Sequence, residues 1–229
     1  MIPAYSYDQI IQILKYAFDF RYIENSSLKM TGLLFSPLYT RIAKEEIIPR
    51  LNYYHRRTGD NLDFFCAGYE GNLPPFEYMN DEVELGVTEP DTEQEISWTY
   101  SDTIFLKLRK EISDMTGRHY SGESDLILAN AIYDKEFQTV ALDFSSAIFL
   151  DLDLMLKDEP TLSVGRIFEN ICLYADTHLV ESSTYDFSDR NGLKALGSSL
   201  IDGIIDSLPK PAGLLWKRGR HYRSINLNG

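Results

Sequence analysis

Two short apolar runs separated by one helical stretch constrain the fold of this chain more than any other feature. Leu28–Phe35 and Leu62–Tyr69 have the length of strands, and the second is apolar almost throughout, which is typical of a central strand. Between them, Thr40 can cap a helix that ends at Gly59 and is kinked at Pro49. Because two strands joined through a helix form a parallel pair with a right-handed crossover, the sequence predicts an α/β protein.

The remaining segments predict a mixed sheet flanked by helices. Apolar spacing and capping residues predict helices over residues 8–22, from Ser101 to Gly117, from Pro160 onward and from Ser188 to Leu208, and strands over Asp125–Tyr133 and within Phe137–Leu154. Without the first and last helices, the order is βαβ, one helix, then ββα, which is the element order of the thioredoxin fold. We therefore expect a mixed four- to five-stranded sheet with extra N- and C-terminal helices.

Charge divides the chain into regions. The 229 residues carry a net charge of −13, but no Lys or Arg occurs between Thr58 and Leu106. Residues 70–97 form an acidic insertion, which we expect to be an extended loop or a small hairpin that uses Val83–Leu85. Residues 209–229 hold basic side chains and no acidic ones. We therefore predict a single α/β domain over residues 1–208 and a basic tail over 209–229.

Cysteine content and hydropathy set the expected location. Cys66 and Cys172 are the only cysteines, each in an apolar segment, so we expect both to be buried and no disulfide to form. The chain begins without the pattern of a signal peptide, and no apolar run reaches the roughly 18–20 residues of a membrane span. The sequence therefore predicts a cytoplasmic protein that does not bind membranes.

Two weak candidate catalytic sites can be named. In a thioredoxin-like fold the reactive site follows the first strand of the βαβ unit, where Ser36, Tyr39 and Thr40 stand and no cysteine does. Dithiol exchange, which needs a thiolate, is thereby excluded at this site. A hydroxyl that binds a thiol, as in glutathione transferases, remains an alternative to a helix cap and turn. Asp151 and Asp153 share a face if they lie on a strand, which suggests a metal-dependent nuclease as the alternative to a solvent-exposed edge.

Motifs of other catalytic classes are absent from the sequence. It contains no HExxH, GxSxG, phosphate-binding GxxxxGK or EF-hand pattern, and no histidine stands near another metal-type ligand at a working spacing. We therefore predict no cofactor and no metal.

Two basic features remain as candidate binding sites. Arg50, Tyr54 and Arg57 fall on one helix face, where they either hold a planar anion such as a nucleotide or simply favour the end of the helix. The tail joins an apolar anchor that ends at Trp216 to a basic run of Lys217, Arg218, Arg220 and Arg223. Its possible targets are a protein partner, the acidic insertion of the same chain, or nucleic acid.

Taken together, these features favour a non-catalytic, redox-inactive interaction protein that engages a protein partner through its acidic loop and basic aromatic tail. The alternatives are an enzyme with an unfamiliar site at Ser36–Thr40 or at Asp151 and Asp153, and a nucleotide- or nucleic-acid-binding protein. Nucleic acid would be bound only through the tail or the Arg50/Arg57 face, since the rest of the chain is strongly acidic.

Overall fold

A five-stranded mixed sheet forms the centre of the described structure. The computed structural model describes residues 1–20, 28–58, 62–71, 81–88, 95–158 and 163–182. The strands of the large sheet are β1 (Ile2–Ala4), β2 (Leu28–Phe35), β3 (Leu62–Ala67), β7 (Asp125–Asp134) and β8 (Thr139–Asp151). Their order is β1-β3-β2-β7-β8; β1 and β2 run parallel to β3, while β7 runs antiparallel to both β2 and β8. This confirms the predicted α/β class and the flanked, mixed sheet.

Helices cover both faces of the large sheet. They are α1 (Tyr7–Phe20), α2 (Leu51–Arg57), α3 (Asp102–Thr116), α4 (Leu152–Asp158) and α5 (Val164–Ser182). On one face Phe35 packs against Phe105 of α3, and Tyr133 stacks on Phe18 of α1. On the other face Phe168 of α5 packs on Phe64. The result is a three-layer arrangement in which the large sheet lies between two helical layers.

Close packing explains one glycine of the central strand. The ring of Phe64 lies over Gly32, where an added Cβ would stand 2.2 Å from a ring carbon. The two residues are paired in the register of β2 and β3, so their side chains point to the same face. Any residue larger than glycine would therefore displace the ring that contacts α5.

A second, smaller sheet occupies part of the acidic insertion. It consists of β4 (Tyr69–Gly71), β5 (Glu82–Thr88) and β6 (Glu95–Ser101), antiparallel, in the order β4-β6-β5. We call these residues the acidic sheet. The chain enters it at Gly68, which has a φ of 83° and where an added Cβ would stand 2.7 Å from Phe105 Cβ, so both backbone and packing require glycine. Of the two expected forms, the hairpin around Val83–Leu85 is therefore present, with a third strand added.

Several predicted elements differ in detail. The helix expected from Thr40 to Gly59 is divided into a π-helical turn at Ala43–Ile47, a 3₁₀ turn at Ile48–Arg50 and α2. Pro49 lies in the 3₁₀ turn, because it lacks the N–H that a continuous helix needs. The short strand β1 was not predicted. Gly59, Pro160 and the helix expected over residues 188–208 lie outside the described residues.

One strand prediction was wrong at its end. The alternation of leucines suggested a strand that continues to Leu154, but β8 ends at Asp151 and α4 begins at Leu152. The Asp151 carboxylate accepts a hydrogen bond from the Leu154 N–H at 2.8 Å, as a helix-capping side chain does. Asp153 therefore lies on a helix, and the shared strand face expected for Asp151 and Asp153 does not exist.

Candidate functional site

The ends of three strands bring most of the predicted catalytic side chains to one end of the large sheet. Phe35, the last residue of β2, is paired with Asp125, the first residue of β7, and Asp125 is paired in turn with Asp151 at the end of β8. Ser36 follows β2 directly, and Ser124 precedes β7. The side chains that the sequence placed far apart are therefore neighbours at this edge.

Ser36 and Thr40 form a buried hydroxyl cluster with Ser124. The Ser36 and Ser124 Oγ atoms are 2.9 Å apart, and Thr40 Oγ1 lies 3.3 Å from Ser124 Oγ. Thr40 Oγ1 also accepts the Ala43 N–H at 3.2 Å, which is the capping role predicted for it. All three hydroxyls are buried, whereas Tyr39 is 62% exposed. The cluster therefore ties β2, the following turn and β7 together by mutual hydrogen bonds.

Asp151 and Asp153 both accept backbone hydrogen bonds. Asp151 caps α4, and Asp153 accepts the Ser124 N–H at 2.8 Å. The described residues contain no group of three or more His, Cys, Asp or Glu side chains placed to hold a metal ion. The two carboxylates thus stabilise the β8–α4 junction and the start of β7.

A cavity opens beside this junction. It has a volume of about 270 Å³ and lies between α3, the 117–124 loop and the adjoining ends of β7 and β8. Its polar lining includes Arg109, Arg118, Asp125 and Asp151, and its apolar lining includes Ile112, Ile127 and Phe149. We call this cavity the β7 pocket. A concave site with an apolar floor and a few convergent polar groups is the usual form of a small-molecule site.

Asp125 has the perturbed acidity that often marks such sites. Burial raises its pKa to about 6, against the opposing effect of the Ser121 N–H, which donates to its carboxylate at 2.8 Å. The negative charges of Asp151 and Asp153 raise it further. The pocket is therefore lined by a carboxyl group whose ionised form is disfavoured by burial.

These pocket residues have little signal in the sequence. Asp125 was recognised only as the start of a strand, and Arg109 only as part of a helix. The one usable signal is Arg118, which directly follows the helix-ending Gly117, whose φ is 65°. A basic side chain at the close of a helix, before a strand that begins with an acid, would have suggested a charged loop at the sheet edge.

The Arg50/Tyr54/Arg57 face packs against α5. Tyr54 is buried against Phe168, with ring centroids 4.9 Å apart. Arg57 Nε lies 3.0 Å from Glu169 Oε2, and Arg50 lies 3.6 Å from Glu46. Tyr54 and Arg57 thus contact α5, and an acidic side chain opposes each of the two arginines.

The acidic sheet is anchored to the core by aromatic side chains. Tyr69, Trp98 and Tyr100 are buried, and the Tyr69 hydroxyl donates to the Ser36 carbonyl at 3.1 Å. Burial, together with the acceptor Asp102, raises the pKa of Tyr100 above its usual range. On β5, by contrast, Val83 is 45% exposed and Glu84 is exposed. In the described part of the chain, β5 pairs with β6 on one side only.

The remaining predictions concern the two cysteines, membrane-spanning helices and the basic tail. Cys66 and Cys172 are both buried and neither forms a disulfide, as expected, and burial raises the pKa of the Cys66 thiol. No helix among the described residues is long and apolar enough to cross a membrane. The tail residues Trp216, Lys217, Arg218, Arg220 and Arg223 lie outside the described residues.

Comparison of the chain with protein-family models, with curated proteins and with solved structures found no match.

Proposed function

We propose that this protein is a non-catalytic interaction protein, and that it engages a basic, extended segment of a protein partner along β5 of the acidic sheet. The observation that carries this proposal is that the acidic insertion forms an anchored sheet with an exposed edge strand. Tyr69 and Tyr100 fix the sheet to the core, while Val83 and Glu84 remain exposed on β5. A rigid edge lowers the entropy cost of binding compared with a loop.

The chemistry of the edge indicates the partner. An unpaired strand edge presents backbone N–H and C=O groups that an added strand can satisfy. Strand β5 carries Glu82 and Glu84 and no Lys or Arg. A partner segment with alternating Lys or Arg therefore fits in both backbone and charge.

We also propose that the large sheet has the thioredoxin fold, with β1 and α1 added before it. The parallel pair of β2 and β3, and the antiparallel β7–β8 hairpin next to β2, support this topology. In such a fold the position after β2 is the reactive one, and Ser36 there is buried in the hydroxyl cluster. A scaffold that keeps the sheet but has no cysteine at this position suits an interaction role.

A charge-reversal experiment tests the proposed partner surface. Val83→Lys/Glu84→Lys in the full chain should abolish recovery of a defined set of proteins, quantified by affinity purification and mass spectrometry. Glu136→Lys/Phe137→Lys is a matched control, because it makes the same two changes at exposed positions in the β7–β8 turn. Proteins lost with the first variant and kept with the second support the proposal, and their binding should weaken as salt is raised.

Equal recovery with both variants would exclude β5 as the partner surface.

A chain that ends at Leu208 tests the tail separately. Reduced recovery with it supports a contribution of residues 209–229 to partner binding, and unchanged recovery removes that contribution. Increased recovery would show that the tail itself occupies the acidic sheet.

A further inference from the structure

The β7 pocket, which the interaction function does not use, carries acidic and basic groups from different elements. Asp125 and Asp151 come from the paired ends of β7 and β8. Arg109 comes from α3, and Arg118 from the loop that follows it. A site that holds two acids and two arginines around one small cavity is suited to a ligand that itself carries both signs of charge.

The acidic side of the pocket consists of two like-charged carboxyl groups. Asp125 and Asp151 are directly opposite each other on antiparallel strands, so their side chains project from the same face with Cβ atoms about 4.5–5.5 Å apart. Like charges in this position repel each other. Within the described residues, neither carboxylate forms an ion pair with Lys or Arg; Asp125 accepts hydrogen bonds from the backbone and side chain of Ser121, and Asp151 accepts one from the Leu154 N–H. An ammonium group placed between them would relieve the repulsion.

The basic side of the pocket offers oriented guanidinium groups. Arg109 Cζ lies 5.6 Å from the ring centroid of Tyr120, and Arg118 Cζ lies 4.7 Å from that of Phe149. The N–H donors of a guanidinium lie in its plane and match the two oxygens of a carboxylate, and contact with an aromatic ring orients that plane.

The floor and the size of the pocket limit the rest of the ligand. Ile112 and Ile127 provide apolar surface between the charged groups. The volume of about 270 Å³ falls just below the ~300–1,000 Å³ of pockets for drug-sized ligands. One small molecule with a short apolar side chain therefore fits.

We propose that the β7 pocket binds a small zwitterion of the amino-acid class. Its ammonium group lies between Asp125 and Asp151, and its carboxylate faces Arg109 and Arg118. The apolar side chain rests on the isoleucine floor. Phosphates and nucleotides fit less well, because the two acidic side chains repel a second negative charge.

Calorimetric titration of the full chain at pH 7.5 tests the ligand class. The probes are single free L-amino acids with apolar side chains, each compared with its N-acetyl derivative and its carboxamide. We expect at least one free amino acid to bind, and both of its blocked derivatives to bind at least about tenfold more weakly, the loss expected when a buried charge is left unpaired. Binding of the N-acetyl compound as tight as that of the free amino acid would overturn the ammonium subsite. No binding of any free amino acid at millimolar concentration would overturn the whole proposal.

Matched variants then locate the site. Asp125→Asn and Arg109→Gln should each weaken binding at least about tenfold. Asp114→Asn and Arg166→Gln make the same changes at exposed positions outside the pocket and should leave binding unchanged. Equal losses from both pairs would place the site elsewhere. If a pocket variant fails to fold, the comparison of free and blocked amino acids on the unaltered chain still decides the ligand class.

Discussion

Lys29 and Asp63 in the middle of the large sheet, and Asp125 and Asp151 at its end, lie on the same face of that sheet, as their registers show. In the middle, Lys29 Nζ stands 2.6 Å from Asp63 Oδ2, and the two side chains are 0% and 5% exposed. At the end, two carboxylates of the same sign face each other beside a cavity. The first pair is thus oppositely charged and buried, whereas the second is like-charged and lines a cavity.

The difference separates a charge pair that the fold itself neutralises from one that it does not. Burial of a charge is tolerated when its partner is in contact, as Asp63 is for Lys29. Among the described residues no Lys or Arg forms an ion pair with Asp125 or Asp151, and burial, with a smaller contribution from the neighbouring carboxylates, raises the pKa of Asp125. Like-charged groups that line a cavity are candidates for binding a ligand of the opposite charge.

Breaking the complementary pair should produce the largest effect. Lys29→Met leaves the carboxylate of Asp63 buried without its partner, and we expect it to lower the free energy of unfolding by about 3–5 kcal/mol. Urea denaturation at pH 7, followed by circular dichroism, measures the change.

Two further variants show whether the loss comes from the uncompensated charge. Lys29→Met/Asp63→Leu removes both charges and should restore most of the stability. Arg41→Gln breaks a pair with Glu45 in which the side chains are 62% and 60% exposed, and should cost at most about 1 kcal/mol. A double variant as unstable as Lys29→Met would show that packing around the lysine stem, and not its charge, is what matters.

The same comparison explains how much could be predicted from the sequence. The strands β2 and β3 were located correctly because a strand buried on both faces is apolar along most of its length, with Lys29, Thr31 and Asp63 as the polar exceptions here. Ser101 was correctly recognised as a cap, and its Oγ accepts the Ile104 N–H at 3.2 Å. These features depend on residues that are close in sequence, where spacing and side-chain chemistry are visible.

Both charge pairs, in contrast, depend on register between distant segments. Asp125 faces Asp151 only because of how β7 and β8 are aligned, and that alignment includes an irregularity between Leu128 and Asn130. No local pattern determines such a register. The leucine alternation after Asp151 was misleading for a related reason, since the capping carboxylate starts a helix where the apolar period still suggests a strand.

Neutralising one member of the like-charged pair should have the opposite effect to breaking the complementary pair. The pKa of Asp125 is raised to about 6 in the folded protein, from an ordinary value of 3.8. An acid with a raised pKa favours folding below its ordinary pKa, and this contribution is lost as the pH rises through about 6. Asp125→Asn should therefore raise the free energy of unfolding at pH 7.5 by about 1–3 kcal/mol, with little effect near pH 3.

Denaturation of both proteins across this pH range measures the effect. Asp114→Asn, at an exposed position on α3, is the control and should change stability by at most about 0.5 kcal/mol at any pH. A destabilised Asp125→Asn protein at pH 7.5 would mean that the ionised carboxylate already has a compensating partner, and the contrast between the two pairs would fail.

The smallest effect concerns the cause of the raised pKa. Burial is the largest cause and the charge of Asp151 a lesser one, so Asp151→Asn should lower the pKa of Asp125 only slightly. An asparagine can still accept the Leu154 N–H, so the cap of α4 should be retained. Carbon-detected NMR titration of the Asp125 carboxyl group measures this change, with Asp153→Asn as a comparison. A fall to the ordinary value of 3.8 would show that repulsion between the paired carboxylates, and not burial, governs the pocket. An ammonium ligand would then gain most of its binding energy by relieving that repulsion. The pocket would therefore prefer cations to neutral analogues more strongly than burial alone allows.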